Sequence, residues 1–199
     1  EEQGLADDTV VVFTSDNGYF LGERGLAGKW LIYERSIRVP LIVKWPGVTR
    51  PGAVIGEPAT STDLYPTCLA AAGQSPRPNQ HRDGLNLLPL FQGMDPLGRE
   101  AIFWHFPHYS NHGMQSPGGA VRAGDYKLLE YSENNTVQLF NLKEDIGEQN
   151  DLARSEPERV ADIRTMLHDW RKDVSARMMP PNPYLSYFSI FSGGGTLKG

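Results

Sequence analysis

Residues Val10 to Gly18 read "VVVFTSDNG", an unbroken apolar run that stops at Ser15 and gives way to Asp16, Asn17 and Gly18. Val10 to Phe13 are consecutive β-formers, which suits a strand covered on both faces, as in a parallel sheet. The polar tripeptide after it has two readings. Asn-Gly between apolar runs is a hairpin signal, and Asp-Asn-Gly suits a tight turn. Alternatively, the strand delivers ligands: in α/β folds, ligand sites lie beyond the carboxyl ends of strands. A carboxylate and an amide carbonyl are hard oxygen donors suited to Ca²⁺ or Mg²⁺, and Gly18 lets the backbone turn beside them. Two such ligands do not fill a site of six or more positions, so the others must come from elsewhere.

Outward from this stretch, Gly18, Gly22, Gly25 and Gly28 punctuate a segment expected to be a loop. "IRVPLIVKW" (Ile37 to Trp45) reads as a second strand, with Pro40 favouring an edge or entry position. "STDLYPTCLAAAG" (Ser61 to Gly73) predicts a helix capped by Ser61 or Thr62 and ended by Gly73. "DGLNLLPLFQG" reads as a short apolar connector, and the composition breaks near Asp95–Arg99. Beyond the break, "EAIFWHF" predicts a strand. "AVRAGDYKLLEYS" and "TVQLFNL" flank Glu133, Asn134 and Asn135 as an antiparallel hairpin. Val160, Ile163, Leu167, Trp170 and Val174 recur at helical spacing, so an amphipathic helix lays one stripe on a sheet. The tail from Met178 is rich in proline, aromatics and glycine and reads as irregular. Residues 1–98 and 99–199 are the two expected domains.

The chain has 199 residues, 39% hydrophobic and 22% charged, with a formal net charge of −5. That is an ordinary globular balance. No long basic run exists, which argues against nucleic acid, and no apolar stretch is long enough for a membrane span. The single cysteine, Cys68, permits no internal disulfide. Its setting among Leu and Ala predicts a buried, inert thiol. "EEQGLADD" opens the chain like a helix end followed by a loop, and a fragment lacking its N-terminal part is the expectation.

The longer run "FTSDNGYFLGERGLAGKWLIYERSIRVPLIVKWPG" resembles the sulfatase family, the formylglycine-dependent relatives of alkaline phosphatase. Phe13 to Gly18, Gly28-Lys29, Tyr33-Glu34, Ser36 and Arg38 to Ile42 match the family pattern in order, and the likeness continues to about Arg177. The resemblance implies an α/β chain: the C-terminal part of an alkaline-phosphatase-like parallel-sheet domain, plus a small α+β subdomain with an antiparallel sheet and a packed helix. It implies that Asp16 and Asn17 bind the active-site Ca²⁺ and that the Lys29 ammonium holds the sulfate. The substrate class is a small-molecule or carbohydrate sulfate ester, and the oligomeric state stays open. The family's nucleophile, a formylglycine made from Cys (or Ser)-x-Pro-x-Arg, and its remaining acidic metal ligands lie upstream of this sequence. Sulfatases of this kind are usually exported or lysosomal.

Several residues carry two readings each. Many bacterial members have Leu-Gly-Glu-His-Gly where this chain has Arg24; its guanidinium either contacts substrate or is a solvated loop residue. His105 and His108, with His112 just beyond, either reach the mouth of the site and bind a sugar hydroxyl or sulfate, or serve surface and packing roles. "SEPER" (Ser155 to Arg159) fits Ser-x-Pro-x-Arg literally, but it lies on the wrong side of the metal loop and lacks the following Thr-Gly. A capping box of Ser155 and Glu158, with Pro157 in the first turn, accounts for it. Two rivals to a sulfatase remain: a phosphoester or phosphonate hydrolase of the same superfamily, against which Asn17 in place of His argues, and a truncated, non-catalytic binding module.

Overall fold

A computed structural model describes residues 3–29, 31–94, 96–109 and 116–180. In chain order the elements are β1 (Val11–Thr14), β2 (Phe20–Leu21), β3 (Ala27–Gly28), α1 (Glu34–Ile37), β4 (Leu41–Lys44), α2 (Leu64–Ala71), α3 (Leu88–Phe91), β5 (Ala101–Phe106), β6 (Gly118–Ala123), β7 (Tyr126–Tyr131), β8 (Thr136–Asn141) and α4 (Pro157–Asp173). They form two compact units. The first comprises Glu1–Gly18 and Arg38–Arg99, the second Tyr19–Ile37 and Glu100–Gly199. The segment Tyr19–Ile37 therefore belongs with the C-terminal part of the chain.

In the first unit, β1 pairs antiparallel with β4, Val11 opposite Lys44 and Thr14 opposite Leu41. This differs from the parallel, doubly covered strand expected from "VVVF". No other described strand pairs with β1 or β4, so Phe13 and Ile42 remain 60% and 62% exposed. Helix α2 is where the sequence places it, but its entry is capped by Thr60 rather than Ser61 or Thr62. The Asp63 carboxylate accepts the Thr60 N–H at 2.7 Å. It also accepts the Leu85 N–H at 2.8 Å and two bonds from Arg99. The apolar connector forms the short helix α3. Cys68 corrects the buried-thiol expectation: α2 turns Pro66 and Thr67 inward, and Cys68 is exposed and free.

The second unit is built on the antiparallel sheet β5-β6-β7-β8. "AVRAGDYKLLEYS" is two strands rather than one, joined at Gly124-Asp125; the expected hairpin across Glu133 to Asn135 is β7–β8. Alternation sorts the side chains to two faces. One face gathers Val121, Leu128 and Leu139 against Ile163 and Leu167 of α4, and Phe103 stacks on Trp170 with centroids 4.9 Å apart. Each fully buried leucine here is worth about 1.5–3 kcal/mol. The helical stripe stands as predicted except at its end, where Val174 is exposed. The outer edge of β8 is covered in part: Leu139 N–H donates to Asp151 and its carbonyl accepts from Leu152 N–H, which blunts edge pairing.

The capping box at Ser155 does not form. Ser155 lies in a turn and its Oγ donates to the Leu152 carbonyl at 3.1 Å, so Glu156 becomes the N-cap, with Pro157 in the first turn. The expected irregular tail lies, from residue 181 on, outside the described residues.

A charged cluster lies on the α4 face. Glu130 of β7 meets Arg164 at 2.6 Å, His168 at 2.7 Å and Arg171, all from α4. Arg171 reaches it across Gly119, where a Cβ would lie 2.5 Å from the guanidinium and 2.7 Å from the Trp104 carbonyl. Burial pushes the Glu130 carboxyl up, but hydrogen bonds from Arg171, Arg164 and His168 outweigh it and hold the pKa at about 2. A depressed carboxylate contributes stability that is complete above its unfolded pKa and is lost as pH falls through the folded one. Between about pH 5 and pH 2, Glu130 should therefore lose on the order of 3 kcal/mol of stabilisation. Urea midpoints followed across that range should fall less steeply in Glu130→Gln than in the native chain. Equal slopes would show that Glu130 does not govern the acid transition.

Candidate functional site

Strand β1 ends at Thr14 and releases Ser15-Asp16-Asn17 into an irregular loop. Asn17 N–H donates to Asp16 Oδ1 at 2.9 Å, and Ser15 Oγ donates to the Asn17 carbonyl at 3.0 Å. Asn17 Nδ2 donates to the Gly18 carbonyl at 2.7 Å. This amide orientation leaves Oδ1 as the side chain's acceptor atom. The tight-turn reading fails here: β1 finds its partner in β4, and Gly18 is not among the glycines with positive φ. Asp16 is exposed and Asn17 half-buried. Both present hard oxygens that suit a Ca²⁺ ion, but among the described residues no group of three or more His, Cys, Asp or Glu side chains could hold a metal. The donor chemistry fits a calcium ligand pair and does not complete a site.

Lys29 belongs to the second unit. The expected loop from Gly18 to Gly28 contains a small hairpin, with Phe20 opposite Gly28 and Leu21 opposite Ala27. Gly28 has φ 105, a conformation that L side chains rarely adopt, and the exposed Lys29 follows directly. The segment is held by apolar anchors. Phe20, Leu26, Ile32 and Tyr33 pack on Ala120, Leu129 and Phe140, on the sheet face opposite α4. Tyr33 sets its ring edge-on to Phe20 and Phe140, and its hydroxyl donates to Gln138 at 2.7 Å.

Beneath these anchors lies a buried ionic triad that sequence reasoning missed. Lys127 of β7 is fully buried, with Nζ 3.0 Å from Glu34 Oε1 and 2.9 Å from Glu148 Oε1. The second oxygen of Glu148 accepts the Glu34 N–H at 2.7 Å. The Trp104 ring lies 5.7 Å from the ammonium. Burial pushes the Glu148 carboxyl up, opposed first by the charge of Lys127. A signal existed in the sequence: in "YKLLEY", alternation puts Lys127 on the same face as Leu129 and Tyr131.

Arg24 is engaged within the fold. Its guanidinium lies 4.5 Å from the Tyr33 ring centroid and donates to the Glu148 carbonyl. Arg24 has φ 58 and Glu148 φ 55. His105 points to the α4 face, its Nε2 2.9 Å from the Arg177 carbonyl oxygen. The segment bearing Lys29 covers the other face, so the structure does not bring the two together. His108 packs edge-to-face with Phe106. His112 lies outside the described residues.

The chain belongs to the sulfatase family: residues 22–176 match the N-sulphoglucosamine sulphohydrolase C-terminal family. It is 35% identical over 167 residues to a sulfatase of Formosa agariphila, covering 77% of this chain and 30% of that protein. It is 34% identical over 168 residues to human arylsulfatase A, covering 80% and 32%. An N-acetylglucosamine-6-O-sulfatase of Bacteroides thetaiotaomicron is 32% identical over 158 residues, covering 76% and 28%. Among solved structures, a protein in complex with its substrate D-glucosamine-2-N,6-O-disulfate superposes with TM-score 0.76 at 25% identity, over 86% of this chain and 35% of that one. The phosphonate monoester hydrolase of Silicibacter pomeroyi gives 0.68 at 29%, over 89% and 37%. The chain thus spans about a third of the length of these relatives and shares the alkaline-phosphatase-like fold of the sulfatase structures. Among the described residues no helix is long and apolar enough to cross a membrane.

The triad sets a stability prediction. Removing one partner of a buried charge network leaves the others uncompensated, a loss of about 3–5 kcal/mol. Lys127→Met should lower unfolding stability by that amount, measured by urea denaturation at neutral pH. A loss below about 1 kcal/mol would mean that water reaches the two glutamates.

Proposed function

We propose that the chain forms the metal- and sulfate-binding part of a sulfuric ester hydrolase that releases inorganic sulfate from an organic sulfate ester. What supports this most directly is that Gly28-Lys29 and Tyr33-Glu34 fall inside residues 22–176, the span of the family match. Sulfated carbohydrate is the favoured substrate class, because the matched family and two of the relatives are named for sulfated amino sugars.

In this reading Asp16 and Asn17 are ligands to Ca²⁺. A hard divalent cation held there would supply Lewis-acid polarisation of the sulfate oxygens. The formylglycine nucleophile and the other metal ligands come from residues outside this sequence. Lys29 carries a compact charge with three donors. It binds the sulfate group and stabilises negative charge on the sulfuryl or leaving oxygen as the ester bond breaks. A fixed cation at that point acts most strongly where charge develops. In this reading the amide oxygen of the half-buried Asn17 would be its ligand atom, since the nitrogen can only donate.

A phosphonate or phosphoester hydrolase is the second reading, favoured by the likeness to the phosphonate monoester hydrolase. Asn17 beside Asp16 speaks for a hard oxygen-bound cation rather than the transition-metal chemistry of Asp-His pairs.

Three measurements test these roles on the longer protein that carries this sequence. Turnover of p-nitrophenyl sulfate should exceed that of a phenyl phosphonate ester; the reverse order would favour the second reading. Lys29→Ala should cut turnover by about 10²-fold or more, and near-normal turnover would remove Lys29 from the chemistry. Asp16→Ala should weaken Ca²⁺ binding by calorimetry, and unchanged affinity would take Asp16 out of the metal shell.

A further inference from the structure

Lys29 sits five residues after Arg24 and five before Glu34, and one residue holds both flanks. The Glu148 carbonyl accepts from the Arg24 guanidinium upstream of Lys29. The Glu148 carboxylate accepts the Glu34 N–H downstream of it at 2.7 Å. Its other oxygen faces the same Lys127 ammonium that pairs with the Glu34 side chain. We propose that Glu148 is the positioning residue for Lys29, a single clamp that fixes both ends of the segment carrying it. The assignment rests on the reading of Lys29 as the sulfate-binding cation.

Three observations carry it. Glu148 is 1% exposed, although it comes from the irregular chain after β8, where nothing in the sheet requires a buried acid. Its φ of 55 is a conformation unfavourable for a glutamate. Such backbone costs of order 1–3 kcal/mol and persists only where the surroundings over-determine it. Here that conformation accompanies two opposite tasks, the carbonyl serving Arg24 and the side chain serving Glu34. Finally, the clamp acts through α1 and the hairpin rather than on Lys29 itself. Lys29 stays exposed while the backbone on both sides is tied to the sheet. A backbone already fixed on both sides leaves less to be ordered when the lysine engages an anion.

Hydrogen exchange on the 199-residue chain reads the clamp without any need for activity. In Glu148→Ala, corrected exchange of amides in residues 19–33 should rise about tenfold or more beyond the rise in amides of α4, which report the global cost of removing a triad member. Both variants keep the backbone carbonyl that meets Arg24, but only Glu148→Gln keeps an acceptor for Glu34 N–H, and it should restore most of the protection. Arg24→Ala, which leaves the buried charges intact, should loosen residues 20–28 and spare α1; it decides the matter if Glu148→Ala does not fold. Equal loosening of residues 19–33 and α4, or no loosening of residues 19–33, would overturn the clamp. In the longer protein, the clamp predicts a kcat loss of about tenfold in Glu148→Ala, recovered in Glu148→Gln, with KM altered less than about threefold. Loosening by exchange in a longer protein that cleaves no sulfate ester would uphold the clamp and sink the sulfatase role of Lys29 instead.

Discussion

One lysine ammonium, shut away from water between two carboxylates, is the constraint on which the second unit depends. Lys127 has no exposed surface, and neither Glu34 nor Glu148 has more than a few per cent. Taking such charges out of water costs several kcal/mol for each ion before any attraction is counted. The arrangement is tolerable only because every member is answered, and each comes from a different part of the chain: a central strand, the four-residue helix α1, and the loop after β8. The segment Tyr19–Ile37 cannot leave the sheet without stranding a buried lysine beside a lone buried acid. Apolar anchors such as Phe20 and Ile32 supply the adhesion, and the triad supplies the exact seat.

The two faces of the sheet share out the work. The α4 face holds one apolar cluster and the Glu130 charges, which end on the helix itself. The opposite face carries the segment with Lys29. His105 lies on the first of these faces and bonds just past the end of α4, in keeping with a role in holding the helix. Arg24 is occupied by the Tyr33 ring and the Glu148 carbonyl.

Much of this was legible in the sequence. The apolar runs at "EAIFWHF" and "TVQLFNL" and the stripe Val160 to Trp170 declared the sheet and its helix, because the strands are covered on both faces and the helix buries one. Other features were hidden by non-local pairing. Gly124-Asp125 is a two-residue connection inside what reads as one run, so β6 and β7 look like a single strand. The run "VVVF" is as apolar as a doubly buried strand, yet among the described residues its only strand partner is β4. Ser155 and Glu158 have the spacing of a capping box, but Leu152 captures the serine first. The ordered motif residues pointed to Asp16, Asn17 and Lys29 as candidates, whereas the Glu34–Lys127–Glu148 triad joins three positions far apart in sequence. Only the inward phase of Lys127 hinted at it.

Strand β7 carries Lys127 toward one face and Glu130, three residues on, toward the other. Because successive side chains alternate, a mispairing of β7 by one position would exchange their surroundings. The lysine would be driven among Arg164 and Arg171, and the glutamate against Glu34 and Glu148. Apolar residues alone would forgive such an error more readily, since Leu128 and Leu129 could trade places at modest cost. Opposite charges planted on opposite faces of one strand make the error electrostatically forbidding, so the strand acts as a key that admits a single alignment during folding.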